Sequence, residues 1–189
     1  MKTPTLVALI ALAAAPLALV SCGSVPTTQG EMDSKIAEVA PGAERAIASM
    51  VAKDSSLKPL VDEAYGVIVF PSVASGALIL GGQGGNGVVF KGGKPWGLAK
   101  LAAGSIGFQI GGESFSELVI LKDAAAFDRV TANKFSFTAG LSATAVKAGA
   151  ALDARFEDGI AAFVSTNGGL MASAAIGGQE ISCYPADVD

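Results

Sequence analysis

Hydrophobic residues change their spacing twice along the chain. From Leu6 to Val20 they follow one another with no charged residue between them. From Glu31 to Ala64, Ile36, Val39, Ile47, Met50 and Val51 recur at three, four and seven, with charged residues in the gaps, which is the period of a helix with one apolar face. Pro41-Gly42 is expected to split this stretch into two helices, and Pro59 suits the first turn of a short third one. After Tyr65 the period falls to two. Strands are expected at Gly66–Phe70, closed by Pro71, then at Ala77–Leu80, Gly87–Lys91, Trp96–Leu101, Ser105–Ile110 and Ser116–Lys122. Asp123 is placed to cap a helical insert over Ala124–Ala132. Phe135, Phe137, Ala139, Leu141, Ala143 and Ala145 then alternate with small polar residues in one long two-faced strand. Ile160–Thr166 and Leu170–Ile181 form the last pair, joined through Asn167-Gly168-Gly169, a hairpin signal.

Many short strands with Gly-rich connections predict an α+β, mainly β fold. It is an antiparallel barrel or sandwich of short Gly-rich strands, with the N-terminal helices packed against it. Long helices do not alternate with the strands, which disfavours a parallel α/β sheet.

The first apolar run is shorter than the ~20 residues that cross a bilayer, and it follows a short positive start at Lys2, as a secretory leader does. It ends in Leu19-Val20-Ser21-Cys22, which resembles the lipobox of bacterial lipoproteins. That resemblance implies a signal peptide over 1–21, removed before Cys22, and a diacylglyceryl group on the Cys22 sulfur. Residues 22–30 read as a polar tether and 31–189 as the folded domain. Gly23 and Ser24 stand where an aspartate would favour inner-membrane retention, so the expected location is the periplasmic face of the outer membrane. One acyl chain holds a protein at a membrane marginally and two hold it firmly.

Composition narrows the function. The 189 residues carry 13 bases against 17 acids, a net charge of −4, which gives no general grip on nucleic acid. Histidine is absent, so the commonest general base and metal ligand is missing. Gly82-Gln83-Gly84-Gly85-Asn86-Gly87 spells G-x-G-x-x-G, but strand and turn residues follow it rather than a helix, so it is read as a hairpin connection and not a nucleotide site. No serine is assigned a partner base. Acid pairs at Asp62-Glu63 and Glu157-Asp158 read as solvated surface. No catalytic residue, metal site or cofactor is assigned, and the chain is read as a non-enzyme. With Cys22 acylated, Cys183 has no partner for a disulfide and is expected to be a buried structural thiol in the last strand.

Lys91-Gly92-Gly93-Lys94-Pro95-Trp96, with Lys100 beyond, places the single tryptophan and three lysines at a Gly-Gly turn. Lysine draws anionic headgroups and indole favours the interfacial zone, which makes Lys91, Lys94, Trp96 and Lys100 candidates for lipid contact. The competing reading is a solvated hairpin whose Trp96 packs inward.

Ala64-Tyr65-Gly66-Val67-Ile68-Val69-Phe70-Pro71, Gly81-Gly82 with Gly87, Ser105-Ile106-Gly107-Phe108-Gln109-Ile110-Gly111-Gly112 and Gly168-Gly169-Leu170-Met171-Ala172 together resemble the SYLF domain family, from about residue 32 to 182. The resemblance implies a non-enzymatic lipid-binding domain; eukaryotic relatives bind phosphoinositide membranes and some bundle actin. Their lipid-binding helix is basic, whereas residues 31–54 here hold Lys35, Arg45 and Lys53 against Glu31, Asp33, Glu38, Glu44 and Asp54, so phosphoinositide binding is not carried over; nor is actin binding, since actin is absent from an envelope compartment. The expected function is a lipid-anchored envelope protein whose domain binds phospholipid or a related amphiphile. The alternative is an interaction or scaffolding module that meets the membrane only through Cys22.

Overall fold

The computed structural model describes residues 25–77, 80–106, 113–132, 135–137, 144–145, 156–166, 169–173 and 179–187. The expected leader, Cys22 and most of the block 105–112 lie outside the described residues. The chain runs α1 (Gln29–Lys53), α2 (Leu57–Asp62), β1 (Gly66–Ala77), β2 (Leu80–Lys91), β3 (Lys94–Ile106), β4 (Glu113–Leu121), α3 (Ala124–Thr131), β5 (Phe135–Phe137), β6 (Thr144–Ala145), β7 (Ile160–Thr166), β8 (Gly169–Ser173) and β9 (Gln179–Pro185).

Thr28 caps α1, its hydroxyl accepting from the Glu31 amide at 3.4 Å. The Glu31 carboxylate accepts from the Thr27 amide at 3.0 Å, a reciprocal pair that holds its pKa below the ordinary carboxylate value. Contrary to expectation, Pro41-Gly42 does not divide this helix, which continues through Pro41 to Lys53. An interior proline costs about 3 kcal/mol. Burying Met32, Ala40, Ala43, Ala46 and Met50 on the sheet offsets that cost, because tertiary packing rather than propensity stabilises most helices. At the far end Lys53 Nζ donates to Ser165 Oγ at 2.7 Å and to the Thr166 carbonyl at 3.1 Å, tying α1 to β7.

Among the described residues the strands form one antiparallel sheet, ordered β5-β9-β3-β2-β1-β4-β7-β8-β6, curled into a half-barrel. Pro71 does not close β1 as expected. The ladder to β2 slips between Val69↔Val88 and Ser72↔Asn86, and this bulge accommodates a residue that has no N–H to donate. The glycine run Gly82–Gly87, expected as a connection, is strand: its residues pair with β1 on one side and β3 on the other. The expected strand Leu170–Ile181 resolves into β8, paired with β7, and β9, paired with β3 and β5. Thr166 pairs with Gly169, as a tight β7–β8 hairpin requires, with Asn167 and Gly168 outside the described residues. Of the long strand expected over 135–145, β5 and β6 are described, and they occupy opposite edges of the sheet. Phe137 and Thr144 are seven residues apart, at most ~25 Å of chain. The two edges therefore lie within that distance of each other.

Alternate residues divide between the two faces. On the convex face α1 and α2 cover Val67, Val69, Val88, Phe90, Leu98, Leu118 and Ile120. On the concave face Ile68, Phe70, Val73, Val89, Leu101, Val119 and Ile181 pack together with Phe127 and Val130 of α3. Asp123 caps α3 as expected, accepting from the Ala126 amide at 2.8 Å.

Candidate functional site

The β2–β3 connection is the two-residue turn Gly92-Gly93, closed by the pairing of Lys91 with Lys94. Gly92 has φ +56° and Gly93 φ +75°. Both central residues thus adopt the left-handed conformation that a twist-matched hairpin turn requires and that glycine adopts without strain. Lys91, Gly92, Gly93, Lys94 and Pro95 are all exposed, so the turn is a projecting tip with two ammonium groups. Lys94 makes no ion pair among the described residues.

Trp96 is not part of that projection. The ladder slips from Val89↔Gly97 to Phe90↔Pro95, leaving Trp96 without a partner across the strands. A bulge of this kind re-aims a side chain, and Trp96 is half-buried against the concave-face core. Its ring meets Phe127 edge-on at 5.3 Å, and Tyr65 meets Phe127 edge-on at 5.6 Å. Lys91 Nζ lies 5.0 Å from the Phe127 centroid and 5.1 Å from that of Tyr65, within range of a cation–ring attraction. Gly66 makes room for this cluster: a Cβ there would stand 2.5 Å from Phe127 Cδ2.

The four lysine and tryptophan candidates therefore separate. Lys91 and Lys94 share the tip, and Trp96 forms part of the aromatic base beneath it. Lys100 sits six residues further along β3, ~20 Å away at strand rise, half-buried and paired in register with Asn86 and Ser182. Cys22 lies outside the described residues. Tyr65 and Phe127 were missed from sequence, because the helix carrying Phe127 is distant in the chain and only the fold brings it to the tip. A cleft of about 150 Å³ opens on the convex side, between Glu44 and Ile47 of α1, Val61, Phe90 and the Gly92-Gly93 turn.

A second polar feature lies inside the curl. Glu117 on β4 is 2% exposed, and its Oε1 accepts from Gln179 Nε2 of β9 at 2.8 Å. Three strands separate β4 from β9, so a flat sheet would hold them ~19 Å apart, beyond the reach of these two side chains. The bond is a chord across the concave face. Glu117 Oε2 is buried and has no hydrogen-bond partner among the described residues. Burial pushes the Glu117 carboxyl up to about 7, against a smaller lowering effect of the Gln179 bond. The sequence did hold a signal: Glu117 occupies the same strand phase as Phe115, Val119 and Leu121.

Cys183 lies in β9 as expected but is half-buried rather than buried, and desolvation of its sulfur pushes the thiol up to about 12, where it is a poor nucleophile. Among the described residues no group of three or more His, Cys, Asp and Glu could hold a metal ion, and no helix is long and apolar enough to cross a membrane.

No family model matches the chain. Over 139 residues it is 30% identical to beta cell expansion factor A of Aeromonas veronii, a match covering 73% of this chain and 53% of the relative. The chain thus spans about half the length of the curated relative it matches.

Proposed function

We propose that this chain is a non-enzymatic, lipid-anchored envelope protein of SYLF type, exported and held through a diacylglyceryl group on Cys22 at the periplasmic face of the outer membrane. Its domain binds phospholipid or a related amphiphile. The observation that carries the binding step is the exposed Lys91-Gly92-Gly93-Lys94 tip, where Lys94 has no ion-pair partner among the described residues. Each lysine near an anionic surface contributes about 1 kcal/mol. The glycine turn brings the backbone close to a headgroup layer without side-chain obstruction. Trp96 supports the tip from beneath by packing on Phe127, and Lys100 is too far along β3 to share one headgroup with it.

Residues 23–189, produced without acylation, are tested by flotation with phosphatidylglycerol vesicles at low salt. The expected result is association that weakens with added salt and is lost in the Lys91→Ala, Lys94→Ala double variant. Indifference of the domain to anionic vesicles, or undiminished flotation of the double variant, counts against the tip. The former outcome, joined to crosslinking of one distinct envelope protein, favours the scaffolding reading.

A further inference from the structure

Gln179 and Glu117 are the only polar side chains on the concave face that the structure joins across it among the described residues, and neither strand is a ladder neighbour of the other. β9 is held by backbone pairing to β3 on one side and, on the other, by the three-residue strand β5. Beyond its ladder to β3, the flank carrying β9 and β5 is also held by what it meets inside the curl. There it meets apolar side chains and one carboxyl with an orphan oxygen.

We propose that the Glu117–Gln179 contact is a proton-dependent latch, holding the β5–β9 flank against β4 while Glu117 is neutral and releasing it when Glu117 is ionised.

The surroundings make the two states unequal. On the face that Glu117 shares, β1 presents Phe70 and Val73, β3 Leu101 and Ala103, β7 Val164 and Ala162, β9 Ile181 and Cys183, and α3 Ala126, Phe127 and Val130. Of these only Cys183 can titrate, and its thiol stays protonated throughout the neutral range. Lys91, on the same face, is paired at Gly66, four residues up β1 from Phe70, the partner of Glu117; that is ~13 Å along the strand. Asp123, Asp128 and Arg129 around α3 are exposed. Among the described residues no cation is placed to neutralise a carboxylate at this position. Gln179 supplies one N–H to Oε1, while Oε2 has none. A lone charge in such a place is relieved by reaching water. One route to water is to swing out the β5–β9 flank, which forms one margin of the sheet among the described residues, and this uncovers the concave apolar wall.

The test is hydrogen exchange of the full-length protein in mild detergent at about pH 5 and about pH 9, with rates corrected for intrinsic exchange. The expected result is a fall of at least about tenfold in protection of the β5 and β9 amides at the higher pH, with these amides exchanging ahead of those in β1 and β2. In Glu117→Gln, which keeps a neutral partner for Gln179, protection should not vary with pH. Gln179→Ala gives a second reading: without the latch bond, the flank should lose at about pH 5 much of the protection that the wild type has there. The latch is overturned by equal protection of the wild-type flank at both values, or by β5 and β9 exchanging in step with β1 and β2 throughout. A Glu117→Gln protein that retains the pH dependence, or a Gln179→Ala protein as well protected at about pH 5 as the wild type, also overturns it.

Discussion

Trp96 meets Phe127 at an interplanar angle of 86°, the edge-to-face arrangement in which one ring's positive rim faces the other's negative face. One strand bulge and one helix converge there, so the tip's geometry depends on a residue more than thirty positions away. Phe127→Ala should destabilise the domain by about 3–5 kcal/mol, read as a lower urea midpoint at unchanged slope. Because Trp96 is the only tryptophan, its emission should shift red in the folded variant as well.

Gly66→Ala is expected to be disruptive despite adding one methyl group. The new Cβ would stand 2.5 Å from Phe127 and 2.9 Å from the Phe90 carbonyl. Phe127 can turn, but the Phe90 backbone can move only by disturbing the β1–β2 ladder. A loss of about 1–3 kcal/mol is expected, the range for overpacking, measured by thermal or urea unfolding.

The Glu117 carboxyl has an ordinary value near 4.5 and is held at about 7 in the fold. Between those values the folded chain binds more protons than the unfolded chain, so stability falls as pH rises through that window and levels off above about 7. The full change is on the order of 3 kcal/mol. Glu117→Gln should flatten this part of the stability–pH curve, which urea titrations at a series of pH values would record.

Lys53→Met should loosen the join between α1 and β7. It removes the donor to Ser165 Oγ and to the Thr166 carbonyl, and a net loss of about 1 kcal/mol is expected. Amide exchange at the C-terminal end of α1 should rise before that of β1.

Charge reversal at the tip, Lys91→Glu with Lys94→Glu, should abolish flotation with anionic vesicles. Gly92→Ala with Gly93→Ala should lower stability by about 1–2 kcal/mol per position through the left-handed backbone alone. The first pair tests charge and the second tests the turn.

Local patterning made the strands visible, since Val67 to Phe70 and Leu118 to Leu121 carry their burial in their own composition. It also marked α3 through Asp123. What it misjudged were places where a distant partner decides the outcome. Pro41 stays helical because the sheet beneath α1 holds the turns on either side of it. Gly82–Gly87 reads as a turn yet is strand, since glycine reveals nothing of its backbone pairing until β1 and β3 are in place. At the tip, Lys91 and Lys94 were legible from the Gly-Gly turn between them. Lys100 seemed to belong with them only because sequence proximity does not measure the length of an extended strand. The Tyr65–Phe127 base required the tertiary fold.

Among the described residues the sheet's outermost members are very short: β5 has three residues and β6 two. Unpaired backbone at a sheet margin is where foreign strands attach and fibres grow. Margins of this length offer another molecule few consecutive hydrogen bonds. Copies of the domain can therefore sit side by side without being recruited through these strands into a growing ribbon.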